Sequence, residues 1–353
     1  MMKRKNVRLI QYHADPIIAI LFIVVLCISA GNDARAQENR KLAQTGMQFL
    51  SVNSDARAAG LANSVTTVPM GASSLFFNPA MMSQMEQTVD IVASQNLWIA
   101  DIKHQTISVA AKPFGDLYGV IGFSFQNVDY GEFKWTQYSS DFAGHPDGYI
   151  DLPSDVIGSP SAWAFGVGYS YAISTQFAVG GQVRYVYQSL ASSLLPVDTL
   201  GNFEKRNYSL SPFAYDFGTH FKTGFQSLTF GMSIRNFSTE MQYEDDAFTL
   251  PMVFTLGISM DMMDFFDHEG IVKSLVVTTD ASHFRDHAEQ VYIGAECSLL
   301  DAVLLRVGYI TAADEENITY GLGVAQYGMR FDYSITPFGV FDNVQRFSVR
   351  FGF

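Results

Sequence analysis

Gln345-Arg346-Phe347-Ser348-Val349-Arg350-Phe351-Gly352-Phe353 is the stretch that decides the fold. Phe347, Val349, Phe351 and Phe353 fall on every second position, with polar or small residues between them. Side chains two apart share one face of a strand, so the spacing predicts an amphipathic strand with one aromatic face. A single strand of this kind suits any half-buried sheet, but the pattern recurs. In 161–173, Trp163, Phe165, Val167, Tyr169, Tyr171 and Ile173 alternate with Ala162, Ala164, Gly166, Gly168, Ser170 and Ala172. In 227–236, Leu228, Phe230, Met232 and Ile234 alternate with Ser227, Thr229, Gly231, Ser233 and Arg235, and 176–188, 303–309 and 329–336 repeat the scheme. A soluble sheet covers its apolar face with a second layer, for which this chain has few segments. A barrel in a bilayer turns that face to acyl chains.

Working outward, period-2 alternation predicts about fourteen strands, at 88–97, 104–112, 117–128, 161–173, 176–189, 210–222, 226–237, 251–261, 272–283, 288–299, 302–311, 317–326, 328–336 and 345–353. Many have the length a tilted strand needs to cross the hydrocarbon. The connections at 98–103, 129–160, 190–209, 238–250, 284–287, 312–316 and 337–344 are mostly longer than those of the alternate set. Short turns on one side and long loops on the other are the habit of outer-membrane barrels; a soluble β-sandwich predicts neither this asymmetry nor an even count. If 37–87 lie on the side of the short turns, both ends of the chain do too. The closing aromatic strand, with Phe347, Val349, Phe351 and Phe353, is then the expected signal to a barrel-assembly machinery.

Composition agrees with an all-β transmembrane antiparallel barrel. The 353 residues are 14% aromatic and 16% charged, with 28 Gly. Lys3, Arg4, Lys5 and Arg8 precede the apolar run 17–30, and Ala34-Arg35-Ala36 supplies small residues before a cut, so residues 1–36 read as a signal peptide cleaved after Ala36. The apolar run is shorter than the roughly 18–20 residues of a spanning helix. Leu26 before Cys27 is too large for lipoprotein processing. Removal of 1–36 takes the formal charge from −13 to −16, which disfavours nucleic acid as a partner. It also leaves Cys297 alone, so no disulfide within the chain is expected.

No catalytic signature is present, and no cofactor or metal is expected. Gly166-Val167-Gly168 and Gly321-Leu322-Gly323 lie inside strands, where alternate Gly suits a crowded lumen. His283 and His287, near Asp280 and Asp286, read as a solvated loop. Arg184, Arg235, Glu296, Arg306, Arg330 and Asp332 fall on inner faces, where a charged ladder is the expected arrangement. The loop 129–160 carries Tyr130, Phe133, Trp135 and Tyr138, an outer-loop interface candidate.

The segment 37–87 lacks alternation and is rich in small residues. Ala56-Arg57-Ala58-Ala59-Gly60-Leu61-Ala62 allows close backbone packing, with Arg57 available to lumen acids. In Ser74-Leu75-Phe76-Phe77-Asn78-Pro79-Ala80, Asn78 and Pro79 favour a turn into a short helix. A plug inside the barrel, with Arg57, Gly60, Asn78 and Pro79 as its motif residues, accounts for this composition better than a disordered leader. The domain division is therefore 1–36 signal, 37–87 plug and 88–353 barrel.

The Ala-Arg-Ala-x-Gly sequence at 56–60 and Ser-Leu-Phe-Phe-Asn-Pro-Ala at 74–80 resemble the N-terminal signature of the PorV/PorQ family of Bacteroidetes-type outer membranes, a distant relative of FadL-type fatty-acid channels. The likeness continues through Ala214-Tyr215-Asp216-Phe217-Gly218, Gly231-Met232-Ser233-Ile234-Arg235-Asn236, Gly294-Ala295-Glu296 and Leu305-Arg306-Val307-Gly308-Tyr309. The resemblance implies a 14-stranded barrel and a role in type IX secretion. Its partners would be outer-membrane lipid, the translocon, attachment proteins and the C-terminal signal domains of cargo. The alternative is a FadL-like channel for hydrophobic small molecules, with 37–87 as its gate.

Overall fold

Large side chains on one face and small or polar ones on the other let a sheet curl until its two edges meet. The computed structural model describes residues 45–131, 133–138, 149–152, 158–196, 203–266, 270–311 and 317–353. The expected signal peptide at 1–36 lies outside them, as do residues 37–44. Fourteen strands form the ring: β1 (Val89–Leu97), β2 (Lys103–Ala111), β3 (Val120–Asp129), β4 (Ser161–Ala172), β5 (Phe177–Pro196), β6 (Phe213–Lys222) and β7 (Thr229–Phe237), then β8 (Val253–Asp261), β9 (Val272–Phe284), β10 (Gln290–Leu299), β11 (Val303–Ile310), β12 (Ile318–Gln326), β13 (Met329–Thr336) and β14 (Val344–Gly352). Each pairs antiparallel with its chain neighbours, and β14 pairs with β1, Phe351 opposite Ile91, so the ring has no edge. Closure leaves no open edge, the condition for a sheet to stand in lipid.

The outward face is a belt of large apolar side chains. Phe123, Phe165, Tyr169, Phe217, Phe230, Phe331 and Phe347 are each between 43% and 56% exposed. A continuous apolar surface on this scale is not the exterior of a protein in water. The buried apolar residues lie inside the ring instead, in clusters between the wall and residues 45–88. Met47, Phe49 and Leu50 pack with Val128, Val186 and Leu250 toward the long loops, and Leu75, Met82 and Met85 pack with Val92 and Val120 toward the short turns.

Two details depart from the sequence reading. β5 runs on to Pro196 and pairs with Phe203–Leu210 beyond the ring, where the alternation predicted a connection from 190. The register shifts between Ser189 and Ser192, with Ala191 at φ 72°, so the period is lost although the pairing continues. The second departure concerns the N-terminal segment. Thr45 Oγ1 donates to Asp286 at 2.6 Å, and the Gly46 amide donates to Thr249 at 3.0 Å, both at the long-loop end. Phe353 lies at the opposite end, accepting from the Thr88 amide at 2.7 Å. The segment therefore descends through the ring before β1 begins, and residue 45 does not share an end with Phe353. The apolar side chains of Met47, Phe49 and Leu50 find partners only beneath the long loops, which sets where this part of the chain must start.

Candidate functional site: the lumen around residues 45–88

Downward from the long loops, the wall meets the segment through single hydrogen bonds at many heights. Gln126 donates to the Phe49 carbonyl at 2.9 Å. Asn96 and Arg346 both donate to the carbonyl of Asn53, at 2.8 and 3.1 Å. The short helix α1 (Ala56–Gly60) is capped by Asp55, whose carboxylate accepts from the Ala58 amide at 3.0 Å. The Ala56 amide donates to Ser348, and the Ala62 amide to Thr319. Lower down, the Thr66 amide donates to Asp280 at 2.9 Å and the Ala72 amide to Asp90 at 2.6 Å. Ser170 donates to the Ala80 carbonyl at 2.9 Å. Short helices leave several backbone groups without internal partners, and here the wall supplies them.

Of the motif residues, Arg57 lies mid-lumen, its Nε and Nη2 donating to Glu296 at 2.8 and 2.7 Å while Nη1 reaches the Pro69 carbonyl. Gly60 sits against Gly321, whose Cα would lie 2.9 Å from any Cβ added at Gly60. Asn78 caps the 3-10 turn Pro79–Gln84 and donates to the carbonyls of Thr66 and Thr219 at 2.8 and 3.0 Å. Pro79 holds the first position of that turn beside Gly180, where an added Cβ would lie 2.5 Å from Pro79 and Ala80 backbone atoms. Alternate Gly in the wall thus marks where backbone meets backbone.

The inner charges pair in part. Glu296 accepts from Arg57 and Arg306, and Arg306 lies 2.8 Å from Asp332. Arg184 makes two bonds of 2.8 Å to Asp216, and Arg350 pairs with Asp90 at 2.6 Å. Arg235 belongs to no such pair among the described residues. Its Nη1 donates to the Phe76 carbonyl at 2.6 Å, and its Nε is buried without a partner.

A bulge that alternation cannot foresee shapes this region. Between β6 and β7 the register shifts, Tyr215 facing Phe237 and Phe217 facing Ile234. Asn236 takes φ 61°, its amide donates to Asp216 at 2.7 Å, and its side chain donates to the Pro251 carbonyl at 2.8 Å. Asn tolerates a positive φ better than most residues. Arg235 and Asn236, adjacent in sequence, consequently both line the lumen. The only signal in the sequence was the Asn itself.

Two spaces remain. A chamber of about 90 Å³ lies toward the long loops, bounded by Leu50 and Asn53, by Phe76 and Phe77, and by Ser233, Arg235 and Asp280 of the wall. A vestibule of about 670 Å³ opens at the short-turn end, lined by Val68, Met81, Leu228 and Met260 with Arg57 and Lys222. Residues 56–82 stand between them.

The outer-loop candidates follow β3 along the chain. Tyr130 is half-buried against the cluster of Met47 and Phe49, with Gln188 within 3.4 Å of its hydroxyl. Trp135 donates from Nε1 to the Gly158 carbonyl at 2.9 Å. Phe133, 42% exposed, lies 6.1 Å from the Trp135 ring. Tyr138 pairs with Tyr149 in a small hairpin of Trp135–Tyr138 with Tyr149–Leu152. On β14, Phe347 and Phe351 are exposed and Val349 is half-buried, and Phe353 just beyond it is exposed.

No protein-family model and no curated protein matches the sequence. Solved structures do. The toluene transporter TbuX of Ralstonia pickettii superposes with a TM-score of 0.55 at 12% identity, over 84% of this chain and 97% of that one. The monoaromatic hydrocarbon channel CymD gives 0.55 at 11% identity, over 86% and 98%. A FadL homologue of Pseudomonas aeruginosa gives 0.52 at 11% identity, over 86% and 99%. At such identities the likeness establishes the fold alone, a closed antiparallel barrel of fourteen strands such as these FadL-type proteins have.

Proposed function

We propose that this chain is an outer-membrane conduit for small hydrophobic molecules, closed in the conformation described by residues 45–88. The observation that carries the reading is the division of one FadL-type lumen into a chamber and a vestibule by a segment bonded to the wall all round. The vestibule is large enough for a small ligand, whereas the chamber is smaller than the roughly 150 Å³ apolar cavity that takes up benzene. Passage therefore requires part of the segment to yield. Toluene and monoaromatic hydrocarbons are what two proteins of similar fold carry, and they are the first substrates to try. The long loops would face outward, the short turns the periplasm, and β14 would address the assembly machinery. Proteoliposomes holding the chain should take up toluene faster than empty ones, and faster still when residues 45–84 are deleted. Absence of uptake of toluene, hexane and oleate by both forms would sink the conduit.

A second reading, a PorV/PorQ-type docking barrel of type IX secretion, is supported by the motifs at 56–60 and 74–80. A fixed segment sealing the lumen also suits a protein that binds partners rather than passing solutes. Cargo, translocon and attachment proteins would then meet the long loops. Pull-down from outer membranes tests it: recovery of neither cargo signal domains nor partner barrels rules it out.

A further inference from the structure

We infer that the chamber and the vestibule are parted along β7 and β8 by a short strap, residues 64–69, and that Asp280 is the latch that holds it shut. The inference deepens the conduit reading and rests on it for the solute alone.

Strand register puts the boundary at one height of the wall. Ser233 on β7, Thr255 on β8 and Ser282 on β9 stand opposite one another, and all three line the chamber. Two residues nearer the short turns, Gly231, Gly257 and Asp280 form the next inward row, with His220 of β6 beside Gly231. In the row after that, Lys222, Thr229 and Ser259 all line the vestibule. Along β7 and β8 the two spaces are thus separated by a single inward row, adjacent rows being about 7 Å apart along a strand. The strap lies across that row. Thr66 lines the chamber, while Thr67, Val68 and Pro69 line the vestibule.

The strap is bonded to the wall on one flank. A Cβ added at Gly257 would lie 2.7 Å from the Thr66 Cβ, and one at Gly231 would lie 2.9 Å from Thr67 Cγ2. It therefore rests on bare backbone of β7 and β8. Among the described residues, its hydrogen bonds to the wall go to β9. The Ser64 and Thr278 hydroxyls lie 3.3 Å apart. Asp280, 1% exposed, accepts the Thr66 amide at 2.9 Å and is also bonded by the Thr66 hydroxyl and the Val65 amide. Bonds to a carboxylate are stronger than those between neutral groups, so Asp280 is the main tie. Asn78 and Arg57 donate to the Thr66 and Pro69 carbonyls from within the segment itself. The stretch that follows is held on several sides instead, Ala72 by Asp90 of β1, Phe76 by Arg235 of β7 and Ala80 by Ser170 of β4. Release from Asp280 leaves the strap one hydroxyl contact with the wall while residues 71–84 stay seated. It uncovers Gly231 and Gly257, two positions with no side chain to bar the way.

A disulfide across the latch tests this in the full chain, with Cys27 and Cys297 replaced by Ser and with Ser64→Cys and Thr278→Cys introduced. In proteoliposomes, oxidation should bring toluene uptake down to that of empty vesicles, and a reductant should restore it. Asp280→Asn, which keeps an acceptor but removes the charge, should raise uptake about fivefold. The same variant should lose hydrogen-exchange protection in 64–69 by a similar factor and keep it in 71–84. Undiminished uptake by the oxidised pair, its disulfide confirmed by mass, overturns the strap and leaves the conduit standing. Should the pair fail to oxidise, exchange decides: unchanged protection in 64–69, or equal loss in 64–69 and 71–84, also overturns it. Protection lost in 64–69 alone, with no uptake by any form, would keep the latch and refute the conduit.

Discussion

On β6, Phe217 and Gly218 are neighbours that answer to different constraints. Phe217 faces outward, 56% exposed, where any large apolar side chain meets the same demand. Gly218 faces inward, where the Asn78 Oδ1 occupies the space a Cβ would need. The difference holds around the ring. In a bilayer the outer face would be solvated by a liquid, which adapts to shape and penalises only charge. The inner face is solvated by residues 45–88, which are fixed and bond the wall group by group. One face should therefore tolerate shape and reject charge, and the other should accept polarity and reject volume.

The largest effect comes from breaking the outer rule. Phe217→Lys, near the middle of β6, should destabilise the barrel by about 2–4 kcal/mol if it lies at the bilayer midplane. Phe217→Leu should cost far less. Urea unfolding in lipid vesicles measures both, and equal costs for the two substitutions would mean that the belt is not in hydrocarbon.

This asymmetry also explains how much was legible in the sequence. Alternation reports a face, so the strands appear within a few residues of where they stand. Val303–Ile310 and Met329–Thr336 each lie within a residue of the predicted spans. Alternation does not report height along the barrel, so it placed Glu296 and Asp332 inside without saying which would meet Arg57. Nor does it report bulges, so nothing in the period of 227–236 put Asn236 beside Arg235 in the lumen. Tyr130 read as a surface aromatic because the apolar patch beneath it comes from Met47 and Phe49, distant in sequence. The inner segment has no period because it is read by the wall one residue at a time.

Adding volume to the inner face comes next. A Cβ at Gly308 would lie 2.3 Å from the Ala62 amide nitrogen, a backbone atom that cannot swing aside. Gly308→Val should cost about 3 kcal/mol, at the upper end for overpacking, and should unseat residues 56–66 while the ring persists. Hydrogen exchange reads this directly, with protection lost in 56–66 and retained in β10 and β11. Loss of protection in both would mean that segment and wall fold as one unit. Removing polarity from the inner face is milder: Arg57→Met deletes two charge-assisted bonds to Glu296, which keeps Arg306 as a partner. A loss of about 2 kcal/mol is expected, seen as faster proteolysis within 53–70.

The smallest effect lies at the long-loop end, where one carboxylate adds to the Gly46–Thr249 backbone bond in tying the segment. Asp286 is hydrogen-bonded by the His287 ring at 2.7 Å, and it accepts from Thr45 at 2.6 Å and Gln48 at 2.7 Å. These contacts, that of His287 foremost and outweighing partial burial, hold its carboxyl well below the usual carboxylate range. A carboxylate with a depressed folded pKa contributes its stabilisation in full above the unfolded value, about 4 for Asp. That stabilisation is lost as the pH falls through the folded value. The tether on residues 45–48 should thus be constant from neutrality to about pH 5 and weaken in stronger acid. Protection factors for the amides of 46–50, corrected for intrinsic exchange, should fall between pH 5 and 3 in the native chain and stay flat in Asp286→Asn. A flat profile in the native chain would mean that the packing of Met47, Phe49 and Leu50, with the Gly46–Thr249 backbone bond, holds this end without the carboxylate. The upper part of the segment would then obey the outer rule, although it lies inside the ring.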